Sequence, residues 1–311
     1  MLPAARRTLD GTVSFQEEGD VPARTSSTAR PAGQKRPPQS PDLHAGFQRP
    51  DADARGDGLF AFLERVDGLP QVQAIKRRMT DLLGPSAGQH LLEVGCGMGH
   101  EIRRLAGRVA PGGSVLGIDM NHAMIDEARR RTADLGGAVR CQVGDVQRLE
   151  LGDDAVDGVR TERVLMYVPD QQRAISELAR VVRPGGRVVA FELDYGATLV
   201  DLPDRGAAQR VLDVLADTVA HRWMGRALAR TFHQAGLRDI VAEPLPVALP
   251  PGIYRRLVGP ALAAAVETGT LEAHAYQHWL AAAQDAERGG YHSDAFVGMV
   301  VSARKPEPGR A

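Results

Sequence analysis

Only two cysteines, Cys96 and Cys141, occur in the 311-residue chain. Two thiols make no disulfide framework, and one of them lies inside a glycine-rich turn, so a reducing, cytoplasmic setting is expected. Lysine is nearly absent as well. Lys35, Lys76 and Lys305 are the whole complement, and arginine carries the rest of the positive charge. With the abundance of alanine and glycine, this reads as the coding bias of a GC-rich genome rather than as function. Neither sign of charge is in excess. The formal net charge is -1, which gives no bulk attraction to nucleic acid or to an anionic membrane. No apolar run approaches the roughly 18 residues that a membrane span needs. The N-terminus lacks the apolar core of a secretory signal, and its acids Asp10, Glu17, Glu18 and Asp20 argue against a transit peptide of the mitochondrial type.

Residues 1–57 carry no apolar period and are rich in Pro, Ser, Gly and charge. Such a segment buries too little apolar surface to offset its ordering entropy, so a disordered tail is expected. The pattern changes at 58. Leu59, Phe62, Leu63 and Val66 share one helical face, Gly68-Leu69-Pro70 breaks the run, and Val72, Ile75, Met79, Leu82 and Leu83 resume it before Gly84 and Pro85. Two helices over 58–84 should lead into the main domain.

From 85 to 195 short β-rich runs (HLLEVG, SVLGID, VRCQVGD, AVDGVRTE, GRVVAFEL) alternate with amphipathic stretches at 100–110, 122–135 and 170–182. That alternation predicts βαβ units and a parallel sheet. Beyond 195 the rhythm predicts helices at 205–222 and 225–235, a strand in LRDIVAEPLPVAL, helix over 251–289, and a closing strand, AFVGMVVSARK, within 290–305. Residues 306–311 are a short tail.

The first strand runs into EVGCGMGHE. Gly95, Gly97 and Gly99 allow backbone approaches that a Cβ would block, and the helix that follows points free N–H groups over the loop. The dinucleotide fingerprint G-x-G-x-x-G requires a third glycine at position 100, where this chain has His100. Three acids accompany the loop. Glu93 ends the first strand, Asp119 the second, where it can accept from both hydroxyls of a ribose, and Asp145 the third, within reach of an adenine amino group. One acid after each of three strands suits a ligand with ribose, adenine and a cationic amino-acid portion but no phosphate.

With Gly117-Ile118-Asp119, HAMIDEARRR, Gly144-Asp145 and VDGVRTERVLMYVPDQQRAISELARVVRPGGRVVAFE, the chain resembles the class I S-adenosylmethionine-dependent methyltransferases, in their small-molecule (UbiE-like, methyltransferase type 11-like) branch. The resemblance spans about 58 to 305 and is strongest from 89 to 195. It implies an α/β, Rossmann-like, seven-stranded, mostly parallel sheet with an antiparallel last strand inserted between the fifth and sixth, helices on both faces and an added helical lid. By position, Glu93, Gly95, Gly97 and Gly99 would line the methionine part of the cofactor. Asp119 and Met120 would hold the ribose and one side of the adenine, and Asp145 and Val146 the adenine. Glu162 and Arg163 would sit near the sulfonium, with a purely structural ion pair as the other reading.

The substrate side, 196–289, is less legible. Glu192, Asp194 and Tyr195 at the end of the fifth strand are candidate acids or hydrogen-bonding groups toward substrate, and His221 is a candidate base. No catalytic residue is singled out among them, since in-line methyl transfer leaves no obligatory signature. His233, His274, His278 and His292 fall in the same half. His274 and His278 share a helix face, but no third ligand stands at metal spacing, so no metal is expected. Trp223, Met224, Phe232, Tyr254, Tyr276 and Trp279 are expected to wall an apolar or aromatic small molecule, or else to mediate a homodimer. RTERVLMY replaces the Asn/Asp-Pro-Pro-Tyr motif of enzymes that methylate planar nitrogens, and no basic stripe points to nucleic acid. The competing readings are a nicotinamide oxidoreductase and a non-catalytic S-adenosylmethionine-binding scaffold.

Overall fold

The computed structural model describes residues 58–291 and 294–309. The expectations for the 1–57 tail and for His292 lie outside the described residues. Two helices come first, α1 (Leu59–Asp67) and α2 (Pro70–Leu83). Pro70 occupies the first turn of α2, where its missing N–H costs nothing, and Gly84 stops the helix in the left-handed conformation. Then follow β1 (His90–Val94), α3 (His100–Val109), β2 (Ser114–Asp119), α4 (His122–Thr132), a 3-10 turn, β3 (Val139–Val143), β4 (Val156–Glu162), α5 (Gln171–Val181) and β5 (Val182–Leu199). The chain closes with α6 (Arg205–Ala216), α7 (Met224–Gln234), β6 (Arg238–Val247), α8 (Pro251–Glu267), α9 (Ala273–Gly289) and β7 (Ala295–Arg304).

The seven strands lie in the order β3-β2-β1-β4-β5-β7-β6. The first five are mutually parallel, and β7 runs antiparallel between β5 and β6. Both faces of the sheet are covered, which is why Leu92, Val159, Val188 and Val189 are fully buried and why these strands read as nearly continuous apolar runs. Each helix buries one stripe. In α3 it is Ile102, Leu105, Ala106 and Val109, spaced at helical intervals. Asn121, Asp170 and Asp204 start α4, α5 and α6 by accepting a backbone N–H from the first turn.

Three expectations need correction. The helix expected over 205–222 ends at Ala216. The fifth strand does not end at 195: it continues to Leu199, with a register shift against β7 after Asp194. The helical stretch 251–289 is two helices, α8 and α9, packed on each other.

Candidate functional site

The chain leaves β1, builds β2 and β3 on one side, and returns to lay β4 on the other. Ligand crevices form at such a reversal, beyond the carboxyl ends of the strands. A cleft of about 520 Å3 opens there. The segments after β1, β2, β3 and β4, with α1 packed over Met98 and Met124, form one half of it; β5, the β6–α8 segment and β7 form the other.

The glycine loop is tied to β2. Gly95 and Cys96 both donate to the Ile118 carbonyl, at 2.7 and 3.0 Å. Gly97 N–H donates to Asp119 Oδ2 and Asn121 N–H to Asp119 Oδ1, each at 2.9 Å. Burial raises the Asp119 carboxyl above its ordinary pKa, while these backbone donors oppose the rise. Both carboxylate oxygens accept a backbone N–H, the Met120 N–H acts on the same group, and a carboxylate with about four lone-pair sites still has room for a ligand hydroxyl. A Cβ on Gly97 would have no protein atom within 4 Å, so this side of the loop is open.

Gly95 is different. Its φ is +69°, and a Cβ would stand 2.1 Å from Val164 Cγ2 in the segment after β4. Gly95→Ala is therefore expected to lower the thermal midpoint sharply, through left-handed strain of about 1–2 kcal/mol and a direct overlap. Val164→Ala in the same chain should recover the overlap part; additive losses in the double variant would contradict the packing. Gly99 lies outside the cleft lining, contrary to its expected place along the methionine part. It caps α3 at φ +83°, and a Cβ there would meet Ala128 of α4 at 3.3 Å.

Asp145 accepts from Gln147 N–H at 2.8 Å and from the Gln147 amide at 3.1 and 3.2 Å. It thus also braces its own turn, and Gln147 joins the lining. Met120 is 43% exposed on the cleft wall, and Val146 is buried beneath.

Beside the glycine loop lies a buried charge cluster that no sequence motif announced. Arg160 in β4 is fully buried and pairs with Glu93, with Glu162 at 2.7 Å and with Glu101 at 3.6 Å. Lys76 of α2 lies 3.2 Å from Asp67 and 3.3 Å from both Glu101 and Glu162. Although burial opposes it, Lys76, Arg163 and Arg160 hold Glu162 well below the usual carboxylate range. Burial pushes Glu93 up to about 8, against the pull of Arg160. Glu93 Oε2 is buried with no hydrogen-bond partner among the described residues. A signal did exist: Lys76 falls on the Val72–Ile75–Met79 face, a core position, in a chain with three lysines.

The structure brings Glu93, Gly95, Gly97 and Asp119 into one cleft with Met120, Asp145, Val146, Glu162 and Arg163. Glu162 and Arg163 also form an ion pair, at 2.8 Å, as the structural reading of that pair expected. Three substrate-side candidates are placed elsewhere. Glu192 is fully buried and accepts the backbone N–H of Val164, Leu165 and Met166 at 2.9, 2.8 and 3.2 Å. Asp194 accepts the Arg226 backbone N–H at 3.1 Å and its guanidinium at 2.5 and 2.7 Å, anchoring the start of α7. His221 Nε2 lies 2.8 Å from the Val168 carbonyl. A carbonyl only accepts, so that nitrogen carries the proton and is spent on the clasp. Tyr195 does line the cleft, its ring edge-on to Phe296 with centroids 5.7 Å apart.

The expected aromatic walls are also displaced. Trp223 is 57% exposed, while Met224, Phe232, Tyr254 and Trp279 pack in the core and Tyr276 stacks on Trp279. Met224 and Phe232 of α7 are buried against the sheet, while α8 and α9 pack on each other and on α6, with the Tyr254 ring 5.6 Å from that of Phe296. The walls are instead Phe62, Leu63 and Val66 of α1, Tyr167 after β4, and Tyr195 and Phe296. His274 pairs with Glu272 at 3.3 Å outside the cleft. Among the described residues no group of three or more His, Cys, Asp or Glu is placed to hold a metal.

Strand order, reversed last strand, glycine loop and strand-end acids together define the class I methyltransferase fold. Residues 92–190 match the Methyltransf_11 family, described as a methyltransferase domain. A protein described as an uncharacterized 37.1 kDa protein in transposon TN4556 of Streptomyces fradiae is 36% identical over 186 residues, covering 60% of this chain and 54% of that one. A demethylmenaquinone methyltransferase of Symbiobacterium thermophilum is 36% identical over 107 residues, 34% of this chain and 43% of that one. The chain thus spans about half the length of these curated relatives. Among solved structures, Haemonchus contortus phosphoethanolamine N-methyltransferase 2 in complex with S-adenosyl-L-methionine superposes with a TM-score of 0.57 at 17% identity. That match covers 85% of this chain and 60% of the other.

Proposed function

We propose that the protein transfers a methyl group from S-adenosylmethionine to a small organic molecule. One observation carries the reading: Asp119 stands under the open side of Gly97 with both oxygens positioned by backbone N–H groups. That is a cradle for two neighbouring hydroxyls of a ribose, and the loop beside it has no third glycine for a pyrophosphate. The unpartnered Glu93 Oε2 fits the ammonium of a methionine portion, since a buried acceptor left unmade costs about 1–3 kcal/mol. Met120, Asp145 and Val146 are the adenine side, and Gly95 and Gly97 let the backbone approach the methionine side. Glu162, fixed as a carboxylate by its three cations, offers negative charge where a sulfonium would lie.

When bound, the cofactor supplies a methyl on a positively charged sulfur, which keeps the C–S electron pair as the acceptor's lone pair bonds to carbon. The chain's own residues orient and dry the site. Tyr167, Tyr195 and Phe296 exclude water from the acceptor half and the apolar face of α1 covers the glycine loop, and alignment of the reacting atoms is the main catalytic contribution. A relative named for demethylmenaquinone supports a small-molecule acceptor. Two free, buried thiols suit a cytoplasmic setting. No helix among the described residues is long and apolar enough to cross a membrane.

Calorimetric titration tests the reading. S-adenosylhomocysteine is expected to bind in the micromolar range and NADPH not to bind; the reverse would replace methyl transfer with hydride chemistry. A broad metabolite panel that yields S-adenosylhomocysteine turnover with no member would favour a binding scaffold.

A further inference from the structure

The three cations lining the cleft are not equivalent. Lys76 is surrounded by three carboxylates and Arg160 by three. Arg163 has a single partner, Glu162, reached through Nη2 at 2.8 Å. Its side chain is 31% exposed on the cleft, and its Nε and Nη1 meet no acceptor among the described residues. The guanidinium thus presents an unused hydrogen-bonding edge toward the cleft.

The backbone spends free energy to put it there. Arg163 has φ +57°, a left-handed conformation that a non-glycine residue rarely adopts. Two contacts enforce it: Arg163 N–H donates to the Phe191 carbonyl at 2.8 Å, and Glu192 clamps the next three N–H groups. Arg163 also faces β5 closely enough for its charge to lower Tyr195 and Glu192 against the effect of burial. It therefore stands where the acidic, cofactor half meets the apolar, acceptor half.

Charge at that junction is unbalanced. A guanidinium beside a sulfonium would be a like-charge contact, unfavourable in a site of intermediate dielectric. An anion between them turns the repulsion into two attractions. The acceptor half holds no base of its own: Glu192 and Asp194 are sealed by backbone and arginine donors, and His221 is held outside.

We propose that Arg163 anchors the acceptor rather than the cofactor, and that the acceptor is an apolar molecule bearing an oxyanion, held by the free edge of this guanidinium. The inference rests on the methyl-transfer reading of the same cleft.

The test uses matched probes on protein saturated with S-adenosylhomocysteine: 1-hydroxy-2-naphthoate against its neutral carboxamide, and decanoate against decanamide. For at least one pair the carboxylate should bind tenfold or more tightly than the amide. Arg163→Gln should bring that ratio close to one, and Arg163→Lys, a point charge without the planar fork, should keep part of it. Each ratio is taken within one protein, so a general loosening of the variant does not mimic the result. Equal binding of acid and amide in the unaltered protein, a ratio that survives Arg163→Gln, or no binding of either pair overturns the proposal. If S-adenosylhomocysteine itself does not bind, the methyl-transfer reading falls and this inference with it. Cofactor binding without discrimination between acid and amide overturns the acceptor anchor alone.

Discussion

Asp119→Ala is expected to weaken S-adenosylhomocysteine binding about a hundredfold or more, measured by calorimetry at neutral pH. Both oxygens already hold a backbone N–H, from Gly97 and Asn121, which fixes the carboxylate on the cleft wall. A hydrogen bond to a charged group contributes about 1.5–3 kcal/mol, and two of them to a ribose comfortably exceed the roughly 2.7 kcal/mol that a hundredfold represents. Asp119→Asn should be nearly as damaging, for a reason the geometry supplies. An amide presents one acceptor and one donor, so one of the two flanking N–H groups must face an NH2. Binding of the alanine variant within threefold of the unaltered protein would remove Asp119 from the cofactor site. Both variants should still unfold cooperatively, because the cleft side of Asp119 admits water to the two N–H groups that lose their partner.

Asp119 also shows what kind of information the sequence holds. The glycine spacing, the acid at each strand end and the helix that follows are encoded by residues next to one another in the chain, and parallel strands bring their carboxyl ends to one edge. Legibility fails where function depends on strand parity or on a distant partner. In FELDYG, Leu193 and Tyr195 face the cleft while Glu192 and Asp194 face the loop after β4 and the start of α7. The letters alone do not say which pair points which way, and β5 runs on to Leu199, so the motif is not a strand end at all. The aromatic residues of α7–α9 had the right composition for a wall. However, α7 gains more by burying its side chains against the sheet, and α8 and α9 by burying theirs against each other and α6. The wall falls to α1, whose apolar stripe was visible but whose target was not. Lys76 and Arg160 were only half legible: a charge at a core position was visible, but the acids that meet it are brought together only by α1, α3, β1 and β4.

Glu192 carries the largest stability effect expected in the molecule. Its carboxylate accepts three consecutive backbone N–H groups, from Val164, Leu165 and Met166. Glu192→Ala strands all three in the interior, at about 1–3 kcal/mol each, enough to unfold a protein of ordinary stability. Glu192→Gln retains one acceptor oxygen and the volume, and isolates the charge. Burial pushes the Glu192 pKa up from 4.5 to about 7, against the three N–H donors. The folded state therefore holds the proton more firmly than the unfolded state. The stabilisation this provides is complete below about 4.5 and is lost as pH rises through about 7. Chemical denaturation at intervals from pH 5 to 8 should show the unaltered protein losing up to about 3 kcal/mol relative to Glu192→Gln, since each pKa unit is worth about 1.4 kcal/mol. A difference that stays flat, or grows in favour of the unaltered protein as pH rises, would mean that the three N–H donors outweigh burial. Catalysis should register the same substitution. The clamped segment sets Val164 against Gly95 and aims Arg163, so relaxing it disturbs the acceptor end more than the ribose end. Glu192→Gln is expected to lower methyl transfer at least tenfold while S-adenosylhomocysteine affinity changes only a few-fold, a split that a general loss of folding would not produce.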